Sequence, residues 1–397
     1  MKIKQVLQKF YRVWTEEGIV SAIKRVLHFA GNIEERKMRI EDARRTKRES
    51  GEVLFINGYS VESPVRYRVL HQMEQLQIAG YRCNKVFFKD LDERMERNYQ
   101  IFVFYRCEWT KEIDSFVRLV KNNHKKVAFD VDDLVIDTKY TDQLSFVQKF
   151  APRTRAAFND SVKKMGEMLA LCDVSTTTTI TLAEELGRVV PKTYINRNVA
   201  SKEMVSWAQK AYEKKKSSTH GIKLGYFSGS LTHDEDFKLI RNALEHILDQ
   251  YQEVSLLLVG ELNPDDSLKR YGNRIIRLGL TGWRELPELI AQTDINLAPL
   301  EDTIFNRSKS EIKWIEAALV RVPTVASRMG AFEEMILQDK TGILCENTED
   351  SWMEAIQKLI ESDELRKKIG NHAYDYVMEH CTTESTAKNY RKLIEKI

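Results

Sequence analysis

The chain has 397 residues, 42% hydrophobic and 9% aromatic, enough to bury large cores in two domains, which excludes a disordered or fibrous protein. Lys plus Arg number 62 against 59 Asp plus Glu, a formal charge of +3. No global field gathers nucleic acid, and any basic partner site has to be local.

Residues 3–29 set Ile3, Val6, Leu7, Phe10, Val13 and Trp14, then Ile19, Ile23, Val26 and Leu27, at helical spacing with lysines and arginines between them. Two readings stay open: a segment lying on an anionic membrane surface, or a pair of helices docked on the protein's own body. The start lacks the unbroken apolar core of a secretory signal, and no run of about 18 apolar residues occurs anywhere to span a bilayer. Cys83, Cys107, Cys172, Cys345 and Cys381 show no metal-ligand spacing. Their odd number suits free thiols in a reducing compartment, so a cytoplasmic location is expected, peripheral to the membrane if the first segment binds it.

After a charged connector over 34–50, VLFING reads as a strand, followed by the loop YSVESP and a helix through RVLHQMEQLQIAG. NYQIFVFYR, a helix over 109–123, KKVAFDVDD, a helical stretch to 171 and DVSTTTT repeat the order. Asp130, Asp132 and Asp133 then stand at the carboxyl end of a strand, where parallel sheets place functional groups. Arg66 and Arg68 open the helix after the first strand, as phosphate or acceptor contacts or as solvated cations. AYEKKKSSTHG reads as a linker, and a second α/β series follows through GIKLGYFSG, VSLLLVG, RIIRLG, DINLAPL and TVAS. The predicted organisation is a helical extension (1–50), two doubly wound Rossmann-like domains (51–215 and 216–380) facing a cleft, and a C-terminal helix (381–397) packing back on the first.

Within the second series, FNRSKSEIKWIEAALVRVPTVAS (305–327) reads as one helix between two strands. If it starts near Ser308 or Ser310, its free N–H groups and dipole make an anion site to which Lys309 and Lys313 add cations. Glu316 lies roughly 9 Å further along the axis at 1.5 Å per residue, about the distance from a diphosphate to the ribose hydroxyls of the same nucleotide. An amphipathic surface helix with Glu and Lys in register is the plainer alternative. Trp283 and Trp314 read as packing residues, Trp314 near enough to border the donor site.

YFSGSLTHDEDF (226–237), the stretch from Asp294 to Ser327 and FDVDDLV (129–135) together resemble the GT-B glycosyltransferases, within them the bacterial family 4 that builds cell-surface polysaccharides. The resemblance covers roughly residues 52–385. It implies that Glu316, matching the second acid of a Glu-x7-Glu motif, binds ribose, and that Gly229 and Ser230, with His233, meet the donor diphosphate. Ser308 stands where the first glutamate belongs. For the DVDD stretch, metal ligation as in the GT-A fold, a carboxylate that orients or deprotonates the acceptor hydroxyl, and a structural role capping a following helix or pairing with Arg106 stay open. The expected activity is metal-independent, retaining transfer from a nucleotide diphosphate sugar to a glycan acceptor, lipid-linked, with no cofactor. A nucleotide-sugar epimerase and a binding subunit without transfer are the alternatives.

Overall fold

The structure, a computed structural model, describes residues 36–59, 62–215, 221–229, 234–262 and 266–397. Residues 1–30, Ser230 and His233, to which the sequence assigns roles, lie outside the described residues.

Two six-stranded sheets carry the fold. The first holds β1 (Val53–Asn57), β2 (Cys83–Phe87), β3 (Ile101–Tyr105), β4 (Lys126–Asp130), β5 (Val174–Thr177) and β6 (Thr193–Ile195). The second holds β7 (Ile222–Ser228), β8 (Val254–Gly260), β9 (Ile275–Leu278), β10 (Ile295–Ala298), β11 (Thr324–Ser327) and β12 (Ile343–Cys345). Every strand pair is parallel. That explains the unbroken apolar runs VLFI, IFVFY and LLLV, which are covered by helices on both faces and bury in both directions. Of the strands, β2, β6 and β12 escape the sequence reading, being short and, in CNKVF and TYI, interrupted by polar residues.

Strand order is β2-β1-β3-β4-β5-β6 in the first sheet and β12-β11-β10-β7-β8-β9 in the second. The order reverses between β1 and β3 and between β7 and β10, and ligand crevices of open parallel sheets form at the carboxyl ends there. At the first reversal Gly58 is obligatory, because a Cβ on it would lie 2.4 Å from the Arg106 carbonyl oxygen. Arg106 itself holds a positive φ of 45° there.

The chain crosses between the halves twice, where Ala200 bridges Thr382. Helix Lys202–Lys214 puts Met204, Ala208 and Ala211 into the core of the second half. Helix Thr383–Ile394, capped by Thr382, puts Tyr390 and Ile394 into the core of the first. A boundary at 215 therefore falls one helix after the chain has joined the second half's core; linker composition marks the exposed loop, not the crossing.

Stretch 305–327 is not one helix but two, Ile304–Arg307 and Ile312–Leu319. The second starts after Glu311, so Lys309 and Ser310 lie in the link before it, and only Lys313 and Glu316 share its surface, one turn apart.

Candidate active site

At the carboxyl end of the second sheet, Lys313 and Lys309 stand near Asp236. The Lys313 side chain is partly exposed along its stem, yet its ammonium is sealed from solvent and has no hydrogen-bond partner among the described residues. It stands 4.8 Å from the ring centre of Tyr226 on β7. Burial lowers its pKa to about 8, with Asp236 opposing. The Lys309 ammonium lies 3.8 Å from the buried Asp236 carboxylate. Asp236, which the sequence reading missed, also accepts from the Glu301 amide at 2.8 Å and from Asn306 at 3.0 Å, fixing the loop after β10. At the end of β7, a Cβ on Gly229 would meet nothing within 4 Å among the described residues.

One turn after Lys313, the Glu316 carboxylate accepts the hydroxyl of Tyr67 from the first half at 2.8 Å. Burial raises the Glu316 pKa, with Arg66 the main opposing influence. Arg66 is buried, its Nε and Nη1 without hydrogen-bond partners among the described residues, and its guanidinium lies 4.4 Å from the Trp283 ring and 4.9 Å from that of Tyr67. A π-helical turn over Arg66–Leu70, a geometry frequent at functional sites, begins there. Trp283 thus does more than pack within its own half, whereas Trp314 is wholly buried, donates to the Thr341 carbonyl at 2.8 Å and does not border the cleft.

The other first-half candidates are engaged with one another. Arg68 pairs with Asp130 through two bonds of 2.9 and 2.6 Å, both side chains at 0% exposure, and Gln72 and Thr176 supply Asp130 with further donors. Neither residue has an atom free to touch a substrate in this arrangement, so a direct phosphate contact by Arg68 or a base role for Asp130 does not fit it. Arg106 donates to Asp132 at 2.7 Å and also pairs with Asp133. Tyr105 gives Asp132 a second donor at 3.0 Å. Burial raises the Asp132 pKa against the pull of Arg106. Among the described residues no group of three or more His, Cys, Asp or Glu side chains is arranged to hold a metal ion.

First-half residues also grip the link from Ser308 to Glu311. Thr179 donates to the Ser308 carbonyl at 3.2 Å and Asn198 to the Ser310 hydroxyl at 3.0 Å, while Arg197 lies 3.7 Å from Glu311 and also pairs with Glu334. The Ser308 hydroxyl donates back to the Ile304 carbonyl at 2.8 Å, so the position of the absent glutamate turns into the preceding helix. Glu311 is wholly buried, neither carboxylate oxygen has a hydrogen-bond partner among the described residues, and burial pushes its pKa up to about 7 against the pull of Arg197. Between the ordinary value near 4.5 and about 7 the unfolded chain gives up a proton that the folded chain keeps, so folding stability falls as pH rises through that window. Glu311→Gln should remove this dependence. By urea unfolding, the variant should gain up to roughly 3 kcal/mol relative to the parent between pH 5 and pH 8. An equal difference at the two pH values would mean that Glu311 ionises freely.

Among solved structures, Anabaena HepE in complex with UDP aligns over 87% of this chain and 100% of its own with a TM-score of 0.59 at 12% identity. Sucrose-phosphate synthase from Thermosynechococcus elongatus aligns over 87% and 98% with a TM-score of 0.58 at 14% identity. The fold is GT-B. Residues 223–362 match the family model Glycosyl transferases group 1. That segment is a group 1 glycosyltransferase domain, and the chain is a glycosyltransferase. Among relatives by sequence, spore coat protein SA of Bacillus subtilis is 20% identical over 255 residues, covering 57% of this chain and 67% of that protein. N-acetyl-alpha-D-glucosaminyl L-malate synthase of Bacillus anthracis is 28% identical over 123 residues, 30% of each chain.

Proposed function

We propose that the protein transfers a sugar from a nucleoside diphosphate sugar to a glycan acceptor, lipid-linked, in the synthesis of a cell-surface polysaccharide. The observation that carries this reading is the Lys313 ammonium, sealed from water and without a hydrogen-bond partner among the described residues, one turn before Glu316 at the switch point of the second sheet. Asp236 and Glu316 offset only part of the cost of burying this cation without a hydrogen bond, and a ligand's anion would offset more of it. A diphosphate between Lys313, Lys309 and Gly229 would do so, and the ribose of the same nucleotide would reach Glu316. Names of the structural neighbours support the ligand class: HepE is recorded with UDP and with UDP-glucose.

In this mechanism the cations stabilise the negative charge that grows on the leaving nucleoside diphosphate as the bond to the sugar breaks. Arg66, whose Nε and Nη1 have no hydrogen-bond partner among the described residues, adds a positive charge from the first half once the halves close. Closure also keeps out water that would hydrolyse the donor. The DVDD carboxylates, held by Arg68 and Arg106, act as a frame for the acceptor side. Family resemblance supports retention of configuration at the transferred carbon. No helix of the described residues is long and apolar enough to cross a membrane. A lipid-linked acceptor would be met at the inner membrane face, with residues 1–30 as the surface contact.

Nucleoside diphosphate sugars screened by thermal shift test the reading, since a ligand of the folded state raises its melting temperature. One donor should stabilise the protein, and its turnover with acceptor should survive EDTA, because side-chain cations do the neutralising. Turnover lost in EDTA and restored by magnesium or manganese would contradict the metal-free mechanism; no stabilising donor would contradict the donor class.

A further inference from the structure

We propose that Asn198 is a positioning residue for the donor diphosphate: it obliges the Ser310 hydroxyl to offer its proton, not a lone pair, to that group. The inference rests on the nucleoside diphosphate reading of the site. Its basis is a relay of hydrogen bonds that runs from the core of the first half into the link before helix Ile312–Leu319.

Every polarity in the relay is fixed from one end. Arg68 has only donors. Its Nε and Nη2 are taken by Asp130, and its Nη1 donates to the Asn196 carbonyl at 2.6 Å and to Asn198 Oδ1 at 3.2 Å. The oxygen of the Asn198 amide must therefore face Arg68, which turns its NH2 group outward. That group donates to Ser310 Oγ at 3.0 Å. Ser310 Oγ is then an acceptor on this side, and no described residue accepts its own proton. A flipped amide would set NH2 against guanidinium, donor against donor. The relay cannot easily slacken either, since Asp130 is also held by Thr176 at 2.5 Å and by Gln72, which Tyr390 of the C-terminal helix grips in turn. Its last member adjoins Lys309 in the link. Asp130 and Arg68, without access to substrate themselves, thus set the hydrogen-bonding sense of a group that faces it.

The isosteric Asn198→Asp separates orientation from shape. Aspartate keeps the size and the acceptor for Arg68 but offers Ser310 an acceptor, so the hydroxyl turns its proton inward. The probe is UDP, with GDP, ADP and dTDP in turn if UDP does not bind, titrated calorimetrically into the full-length protein. Asn198→Asp should weaken binding of the diphosphate about tenfold or more with little change in melting temperature. In a Ser310→Ala background the same change should have a much smaller effect. Unchanged binding in Asn198→Asp overturns the proposal, and so does an equal loss in both backgrounds, which would mark a charge effect that bypasses Ser310. Should Asn198→Asp not fold, Asn198→Ala and Ser310→Ala give the cycle: losses that do not add support the relay, and additive losses overturn it. If the parent protein binds none of the four nucleotides, the donor reading itself falls, an outcome distinct from a parent that binds and a variant that binds equally.

Discussion

Lys313→Met is expected to abolish donor binding while making the unliganded protein more stable. Methionine keeps the length and the apolar stem contacts but removes a buried charge that has no hydrogen-bond partner among the described residues. Removing the ammonium from a bound diphosphate breaks a desolvated charge pair, an effect of about 2 to 5 kcal/mol, so nucleoside diphosphate affinity should drop by about thirtyfold or more. The gain in stability follows from the depressed pKa. An ordinary lysine titrates near 10.5 and this one at about 8, so below pH 8 the folded state carries a charge that costs it up to roughly 3 kcal/mol. From pH 8 to 10.5 the folded chain has released a proton that the unfolded chain still holds, and wild-type stability rises with pH. The advantage of the variant should therefore be largest at pH 7 and shrink through that window. Donor affinity of the wild type should move the other way and weaken above pH 8, as the ammonium is lost. A variant that binds nucleotide normally would remove Lys313 from the site.

The second large effect is expected at Glu316. Glu316→Ala should lose about 1.5 to 3 kcal/mol of nucleotide affinity, tenfold or more, because a charged acceptor for the ribose hydroxyls is gone. It should also destabilise the protein, since the buried Tyr67 hydroxyl loses its acceptor from the opposite half. Glu316→Gln separates the two: its amide oxygen can still accept from Tyr67, so stability is kept while the charge is lost and affinity falls. Should Glu316→Ala fold and bind donor as the wild type does, the carboxylate serves only to hold Tyr67.

Alternating strands and helices were legible because each depends on near neighbours: apolar runs for buried parallel strands, and amphipathic stretches between them for helices. The proximity of Lys313 to Glu316 was legible for the same reason, one helical turn being a local property. Where the helix begins was not. The sequence reading starts the helix near Ser308 or Ser310, but their hydroxyls bond the Ile304 carbonyl and Asn198, and the helix waits until Ile312. Contacts across the halves left no local trace at all: Tyr67 with Glu316, Arg66 with Trp283, Asn198 with Ser310. Arg68 and Asp130 illustrate the limit best. Each has the charge and the placement of a cleft residue, and only the fold reveals that they neutralise one another. An Arg two residues after another Arg, with an Asp at a strand's end, was the available signal, and it fits a buried pair as well as it fits two ligands.

Whether Lys313 and Glu316 mark a nucleoside diphosphate site is decided by calorimetric titration of UDP, GDP, ADP and dTDP, each beside its monophosphate, into wild type and Lys313→Met. One diphosphate should bind the wild type, more tightly than its monophosphate, and this binding should be lost in the variant. No binding by any of the four, or a diphosphate bound equally by both proteins, would contradict that assignment.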